Sequence, residues 1–315
     1  MNVQLGNSGL SIHPLVFGTL PMGPLQANLS PREGGRLIRH AVERGVNLLD
    51  TAELYGSYQH IREGLNGFQG EVLIATKTHA PDVATARTHI EKALHELGRE
   101  RLDIVHLHAA RLADPFRERA AVLELLMELQ QQGVIGLIGI SSHYVCAIRE
   151  AAKHPEIAVL HPLINRLGRG ILDGSAKEMA DAIHAAAEAG KGIYAMKALA
   201  GGNLISSALE SINHVRQLSG VHGVALGMLS NQEIDANLDL FEQRDPVLSN
   251  WQTLQQRRRS LRIMERFCTG CGSCVKACSE GGLSLVEGKA VVNSEACVLC
   301  GYCAAACPEF IIRVV

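Results

Sequence analysis

A closed parallel (β/α)₈ barrel followed by a small cysteine-rich module is the α/β architecture this sequence predicts, and three observations predict it. Over the first 245 residues, short β-branched runs ending in small or polar residues alternate with amphipathic stretches rich in Ala, Leu, Glu and Arg. Eight such runs, each followed by a helical pattern, favour closure into a barrel over the competing doubly wound open sheet. Of nine cysteines, all but Cys146 fall between Cys268 and Cys307.

Composition sets the bounds. The chain has 315 residues, 47% apolar and 20% charged, enough for a full core and against extended disorder. A length of 315 suggests about two domains, although one barrel alone uses ~250 residues. With 30 basic and 32 acidic side chains, the net charge of −2 gives no electrostatic reason to expect nucleic acid or an anionic membrane as partner. No run of ~20 apolar residues is present, so no membrane span is expected. Met1 to Leu10 lacks a cationic segment followed by an apolar one, so no secretory signal is expected and the reducing cytoplasm is the expected location.

The elements follow in order. Val3–Leu5 and Leu10–Ile12 flank Gly6-Asn7-Ser8-Gly9 and predict a hairpin suited to plugging the barrel bottom. The predicted strands are 15–19, 47–51, 72–76, 104–108, 136–140, 158–163, 192–196 and 223–227. Helices are predicted over 31–44, 85–97, 115–132, 176–189 and 231–241. Ser30-Pro31 supplies a cap and first helical residue, and Gly45 and Gly190 supply stops. The barrel domain is therefore set at 1–245 and a helical linker at 246–264, whose Arg257-Arg258-Arg259 run reads as a solvated face. A cysteine module, 265–315, closes the chain. Cys146, inside a helical pattern, reads as buried apolar filler.

Cys268, Cys271, Cys274 and Cys278 follow C-x₂-C-x₂-C-x₃-C, and Cys297, Cys300, Cys303 and Cys307 repeat it before Pro308. Three thiolates at intervals of three, in a Gly-containing loop, can converge on one face of an iron–sulfur cube while the fourth points toward a neighbouring cluster. Structural zinc favours two separated pairs, and disulfides need an oxidising compartment. This run resembles the bacterial two-cluster ferredoxins over roughly the last 50 residues. The resemblance implies an α+β ferredoxin-like domain with one [4Fe–4S] cluster on Cys268, Cys271, Cys274 and Cys307. A second would sit on Cys297, Cys300, Cys303 and Cys278. Ser279 stands where the family has proline, which removes no ligand.

In such a barrel, chemistry gathers at the C-terminal ends of the strands. Asp50 and Tyr55 follow the second predicted strand, Lys77 and His79 the third, His106 and His108 lie on the fourth, and Ser141-Ser142-His143 follow the fifth. A free Tyr, at pKa ~10, exchanges protons poorly near neutrality. A nearby ammonium lowers that value, an Asp holds the Lys, and a His orients a carbonyl oxygen.

Residues 49–56, LDTAELYG, resemble the D-T-A-x-x-Y-G signature of the aldo-keto reductases. Ile74–Lys77, Leu102–His108, Ile138–Ser142, Leu199–Gly202 and the opening Leu5–Leu10 hairpin extend the resemblance over about residues 1–243. It implies Tyr55 as general acid, Lys77 and Asp50 as its tuning partners, and His108 as the group that orients substrate. A reduced nicotinamide, NADPH or NADH, would contact Gly18, Thr19, Ser141, Ser142, Met196, Lys197, Leu199, Gly201, Gly227 and Asn237.

Several positions depart from the family. Met196 replaces a tyrosine that often stacks on the nicotinamide, and Gly227 and Glu233 stand where basic residues often hold a 2′-phosphate. Ala109-Ala110 and Ala198 replace prolines common in the family. The ferredoxin-like module takes the place of the long C-terminal substrate loop.

The expected function is an oxidoreductase that reduces a small-molecule carbonyl or oxidises an alcohol, coupled to an iron–sulfur domain. One rival is a metal hydrolase built on His106 and His108, with His143 and His161; another is an electron-transfer subunit with a non-catalytic barrel. Because hydride carries two electrons and a cluster takes one, the sequence leaves open a bound flavin, stepwise reduction of substrate, or an external redox partner protein.

Overall fold

The eight predicted strand runs pair in parallel, in chain order, and close on themselves in the computed structural model, which describes residues 2–242, 248–309 and 311–314. Ahead of them, β1 (Val3–Gln4) and β2 (Ser11–Ile12) form the predicted hairpin. Its turn presses on the chain entering a late barrel strand: Asn7 N–H donates to Gly190 O at 2.9 Å. A Cβ on Gly6 would lie 2.5 Å from the Lys191 carbonyl carbon. Leu5 and Ile12 join Val16, Leu48, Ile104 and Val159 in the lower barrel core, so the hairpin is the floor.

The barrel then runs β3 (Leu15–Gly18), α1 (Pro31–Glu43), β4 (Leu48–Asp50), α2 (Tyr58–Leu65), β5 (Leu73–Thr78), α3 (Val83–Leu97) and β6 (Leu102–His108). It continues with α4 (Pro115–Glu118), α5 (Ala120–Gln131), β7 (Ile135–Ser142), α6 (Val145–Ala151), β8 (Ile157–Pro162), α7 (Ala176–Glu188), β9 (Gly192–Ala195), α8 (Ala208–Arg216), β10 (Gly223–Gly227) and α9 (Asn231–Phe241). β10 closes the ring against β3, Val224 opposite Leu15 and Gly227 opposite Gly18. Ser30 and Glu33 form a capping box at α1, and Ser175 and Glu178 repeat it at α7, each satisfying otherwise orphaned N–H groups.

Three expectations change. The single helix predicted over 115–132 breaks at Arg119, whose φ of −128° leaves the helical region. Cys146 is exposed, not buried: on α6 the inward positions are Val145, Ala147, Ile148 and Ala151. The predicted helical linker, 246–264, is helical over α10 (Leu248–Gln255), which lays Trp251 and Leu254 on the barrel core. Its end is a strand, β11 (Leu261–Ile263). The expected boundary at 245/246 lies outside the described residues.

The module continues with α11 (Ser273–Ala277), β12 (Leu283–Val286), β13 (Lys289–Val292), α12 (Tyr302–Ala306) and β14 (Ile312–Val314). β11 pairs antiparallel with β14, and β12 with β13. Each short helix starts from a glycine in the left-handed region, Gly272 at φ 73° and Gly301 at φ 83°. A side chain there would be strained.

Candidate active site

The barrel register delivers the four predicted catalytic side chains to one end. Asp50 ends β4, Tyr55 closes the 3₁₀ turn Glu53–Tyr55, Lys77 lies near the end of β5, and His108 ends β6. Lys77 Nζ donates to Asp50 Oδ1 and Oδ2 at 2.7 and 2.6 Å and to Thr51 O at 2.8 Å. Both side chains are buried, so the pair is shielded from solvent and from salt. Tyr194, which the sequence reading missed, donates from its hydroxyl to Asp50 Oδ2 at 2.9 Å and meets His106 Nε2 at 2.7 Å. A tyrosine on an inward strand position was the available signal.

Tyr55 sits with its ring centroid 5.0 Å from Lys77 Nζ and 6.1 Å from the His108 ring, edge-on. The expected lowering of its pKa does not occur. Burial, then the Tyr302 phenol and the Asp50 carboxylate, push the Tyr55 phenol up. The physical reason is burial, which disfavours the phenolate, while the Lys77 ammonium spends its bonds on Asp50 and Thr51. Burial lowers the Lys77 pKa in turn, with Asp50 opposing. His108 is held well below the ordinary imidazole range by burial and by Lys77, so it is neutral. Tyr55 is thus a neutral phenol beside a neutral imidazole, a proton donor next to a hydrogen-bonding ring.

A cavity of about 470 Å³ runs from Asp50, Tyr55 and His161 outward along the barrel mouth. Seven of the ten expected cofactor residues line it: Gly18, Met196, Lys197, Leu199, Gly201, Gly227 and Asn237. The other three do not. Thr19 Oγ1 donates to Asp50 O and meets Ser57 Oγ, Ser141 Oγ faces Met196 Sδ, and Ser142 Oγ donates to Ala109 O. Lys197, at φ 59°, and Asn237 each bury a polar atom, Nζ and Oδ1, without a hydrogen-bond partner among the described residues. Such orphaned groups suit an incoming ligand that satisfies them.

In the Arg257-Arg258-Arg259 run, read as a solvated face, Arg257 and Arg258 are exposed and Arg259 is half-buried, and all three line the rim of the same cavity. Arg257 pairs with Glu233 Oε1. Arg258 donates to the Gln255 and Arg257 carbonyls at 2.9 and 3.1 Å and has no carboxylate partner among the described residues. Arg259 bonds Gln26 Oε1.

The module covers the mouth. Val298, Leu299 and Cys300 line the cavity from above. Arg169 donates to Ser294 O and Cys297 O, Asn203 to Cys297 O at 3.0 Å, and Gln26 to Leu299 O at 3.4 Å. Tyr302 reaches the barrel site itself, its hydroxyl 3.3 Å from His108 Nε2. Nothing in the cysteine spacing could have singled it out, because it lies between two cysteines that dominate the motif.

The cysteines gather as two sets. Cys268, Cys271, Cys274 and Cys307 line one recess, and Cys278, Cys297, Cys300 and Cys303 another. None of the eight is joined in a disulfide. Ala290 N–H donates to Cys268 Sγ at 3.4 Å and Gly282 N–H to Cys278 Sγ at 3.3 Å. Backbone donors aimed at sulfur stabilise the charge that cluster thiolates carry. The donor sets therefore fit two iron–sulfur cubes.

The histidines of the rival hydrolase do not converge. His106 bonds Tyr194, and His161 Nδ1 donates to Tyr194 O at 2.7 Å. Among the described residues, the group with ligand atoms close enough to share a metal is Glu53, His79 and His89.

A barrel with a Tyr–His–Lys–Asp set at its mouth, a cavity beside that set and a cysteine-rich module over it is an arrangement suited to oxidation–reduction chemistry. Residues 14–253 match the aldo/keto reductase family model and residues 260–308 the 4Fe-4S dicluster domain. The chain belongs to the aldo/keto reductase family and carries a C-terminal iron–sulfur domain. An oxidoreductase of Bacillus subtilis is 27% identical over 49% of this chain and 53% of its own length. Pyridoxine 4-dehydrogenase of Escherichia coli is 32% identical over 38% of this chain and 48% of its own. The chain thus spans about half the length of these curated relatives. A Pseudomonas aeruginosa structure assigned to the aldo-keto reductases superposes with a TM-score of 0.65 at 25% identity, covering 77% of this chain and 95% of its own. An aldo-keto reductase from Bacillus halodurans shares the fold at a TM-score of 0.63 and 22% identity, over 81% and 95%.

Proposed function

We propose that this protein reduces a small carbonyl compound, or oxidises the corresponding alcohol, with Tyr55 as general acid and base. The observation that carries the reading is the meeting of Tyr55, His108 and the Lys77–Asp50 pair, of which Tyr55 and Asp50 line the inner end of the cavity. A reduced nicotinamide would supply the hydride. Met196 and Leu199 would pack on its ring system, and Asn237 Oδ1 and Lys197 Nζ would meet its polar groups. Tyr55 gives its proton to the carbonyl oxygen, and neutral His108 orients that oxygen. The buried Lys77–Asp50 pair keeps a cation 5.0 Å from the Tyr55 ring as the phenolate forms. Burial strengthens that attraction.

NADPH is the better fit of the two nucleotides. Glu233, which would repel a 2′-phosphate, is neutralised by Arg257, and Arg258 is a cation with backbone partners alone among the described residues. A charge-assisted bond to phosphate contributes roughly 1.5–3 kcal/mol. Arg258→Ala should therefore weaken NADPH binding by about ten- to a hundredfold and leave NADH binding unchanged. Equal losses for both nucleotides, read by fluorescence titration, would count against the phosphate contact.

Two [4Fe–4S] clusters on the two cysteine sets would store and pass single electrons. Cys271 is exposed whereas Cys300 lines the barrel cavity, so a redox partner protein would meet the Cys271 side.

Tyr55→Phe tests the reading. Loss of the proton donor should lower carbonyl reduction by about 10²–10⁴-fold. NADPH binding and cluster absorbance should persist. Turnover equal to that of the wild type would contradict the role of Tyr55.

A further inference from the structure

The substrate side of the site is not open barrel mouth. Tyr302, on the first turn of α12, places its hydroxyl 3.3 Å from His108 Nε2, with the two rings edge-to-face at 6.3 Å. Its ring packs with Leu20 and Leu54 against the Leu25–Ala52–Tyr55 cluster, and the Arg111 guanidinium lies 5.3 Å over its face. The large cavity is lined by Tyr55 but not by His108, because the Tyr302 phenol lies against that ring.

The seating of Tyr302 is fixed from behind. A Cβ on Gly301 would fall 2.6 Å from Leu25 O, and one on Gly201 would fall 1.7 Å from Val298 O. The module backbone meets the barrel at contact distance on both sides of the Tyr302 turn. Cys300 and Cys303 flank the residue, so its position is set by the loop that carries the second cysteine set.

We infer that the iron–sulfur module forms the substrate-side wall of the barrel site. In this arrangement Tyr302 is the positioning residue that fills the carbonyl-oxygen seat at His108 and confines the site to slim, unbranched aliphatic carbonyls. The inference rests on the reading of Tyr55 and His108 as the carbonyl-binding pair. A small carbonyl enters by exchanging its oxygen for the Tyr302 hydroxyl, which must give up its contacts with His108 Nε2 and with the Tyr55 hydroxyl. A carbonyl bearing an aryl or branched group would have to move the whole ring, which the Gly201 and Gly301 contacts resist.

The test uses ketone binding, with acetone and acetophenone as probes, on the cluster-loaded protein saturated with NADP⁺. No hydride is available in that complex, so calorimetry reads the seat and not the reaction. Tyr302→Ala should bind acetophenone at least tenfold more tightly than the wild type, with acetone changed less than threefold. Tyr302→Phe keeps the ring and frees His108 Nε2. It should bind acetone severalfold more tightly while still refusing acetophenone. Cluster absorbance equal to the wild type certifies each variant, and if Tyr302→Ala fails to assemble, Tyr302→Phe decides. Unchanged affinities for both ketones in the assembled variants would overturn the role of Tyr302. Should neither the wild type nor a variant reduce any carbonyl while these affinities shift as stated, the assignment of the reaction falls and that of Tyr302 stands.

Discussion

Asp50 and Lys77 show why a single side chain at this site carries weight beyond its own contacts. Both are buried, and the Lys77 ammonium donates to both carboxylate oxygens. Removing one partner of such a pair leaves an uncompensated buried charge, which costs about 3–5 kcal/mol. Asp50→Asn should lower stability by that order in urea denaturation, and a loss below ~1 kcal/mol would contradict the burial argument. His143 makes a second prediction at this scale. Burial, aided by Lys197, lowers its pKa to about 4. A base whose folded pKa lies below its unfolded value of ~6.5 costs the native state nothing above pH 6.5. Stability is then lost as the pH falls from ~6.5 toward 4, by roughly 3 kcal/mol for this residue. The urea midpoint should drop between pH 7.5 and pH 5, and His143→Gln should flatten that dependence.

At the scale of elements, glycines decide how closely backbones meet. Gly201 lies at φ 72° in the loop after β9, and no side chain fits between it and Val298 O. Gly201→Ala should loosen the module from the barrel, seen as faster amide exchange over residues 297–302 with the barrel strands still protected. Equal exchange would mean that the contact is not needed for docking. The strands were legible because β-branched runs with polar ends recur at regular spacing. Every predicted run overlaps an observed strand, and the capping residues Ser30 and Ser175 fix two helix starts. The break at Arg119 and the strand Leu261–Ile263 were not legible. The first is a local dihedral change inside a helical pattern, and the second exists through pairing with Ile312–Val314, some 50 residues away.

Over the whole molecule, the notable feature is that the module is part of the barrel's site. The motif residues of both parts could be found by spacing, because strand ends and cysteine triplets place chemistry at fixed intervals. Of the ten residues expected to contact a nicotinamide nucleotide, seven line the cavity, whereas Thr19, Ser141 and Ser142 turn to neighbouring backbone and side chains. Arg257 and Arg258 are exposed, as a solvated run should be, but their place at the rim of the cavity was not legible because the barrel mouth is far away in sequence.

By itself the sequence determined the barrel, the cysteine sets and the Tyr55–Lys77–Asp50–His108 constellation, since each depends on periodicity or on short spacings that the backbone converts directly into position. Only the tertiary structure decided what surrounds them. It raised the Tyr55 pKa that the nearby Lys77 was expected to lower, exposed Cys146, placed the arginine run at the rim of the barrel cavity, and set Tyr302 against His108, 194 residues away in sequence. The physical reason is common to all four. Burial, electrostatic environment and the filling of a cavity are properties of distant surfaces brought together, and no local pattern encodes them.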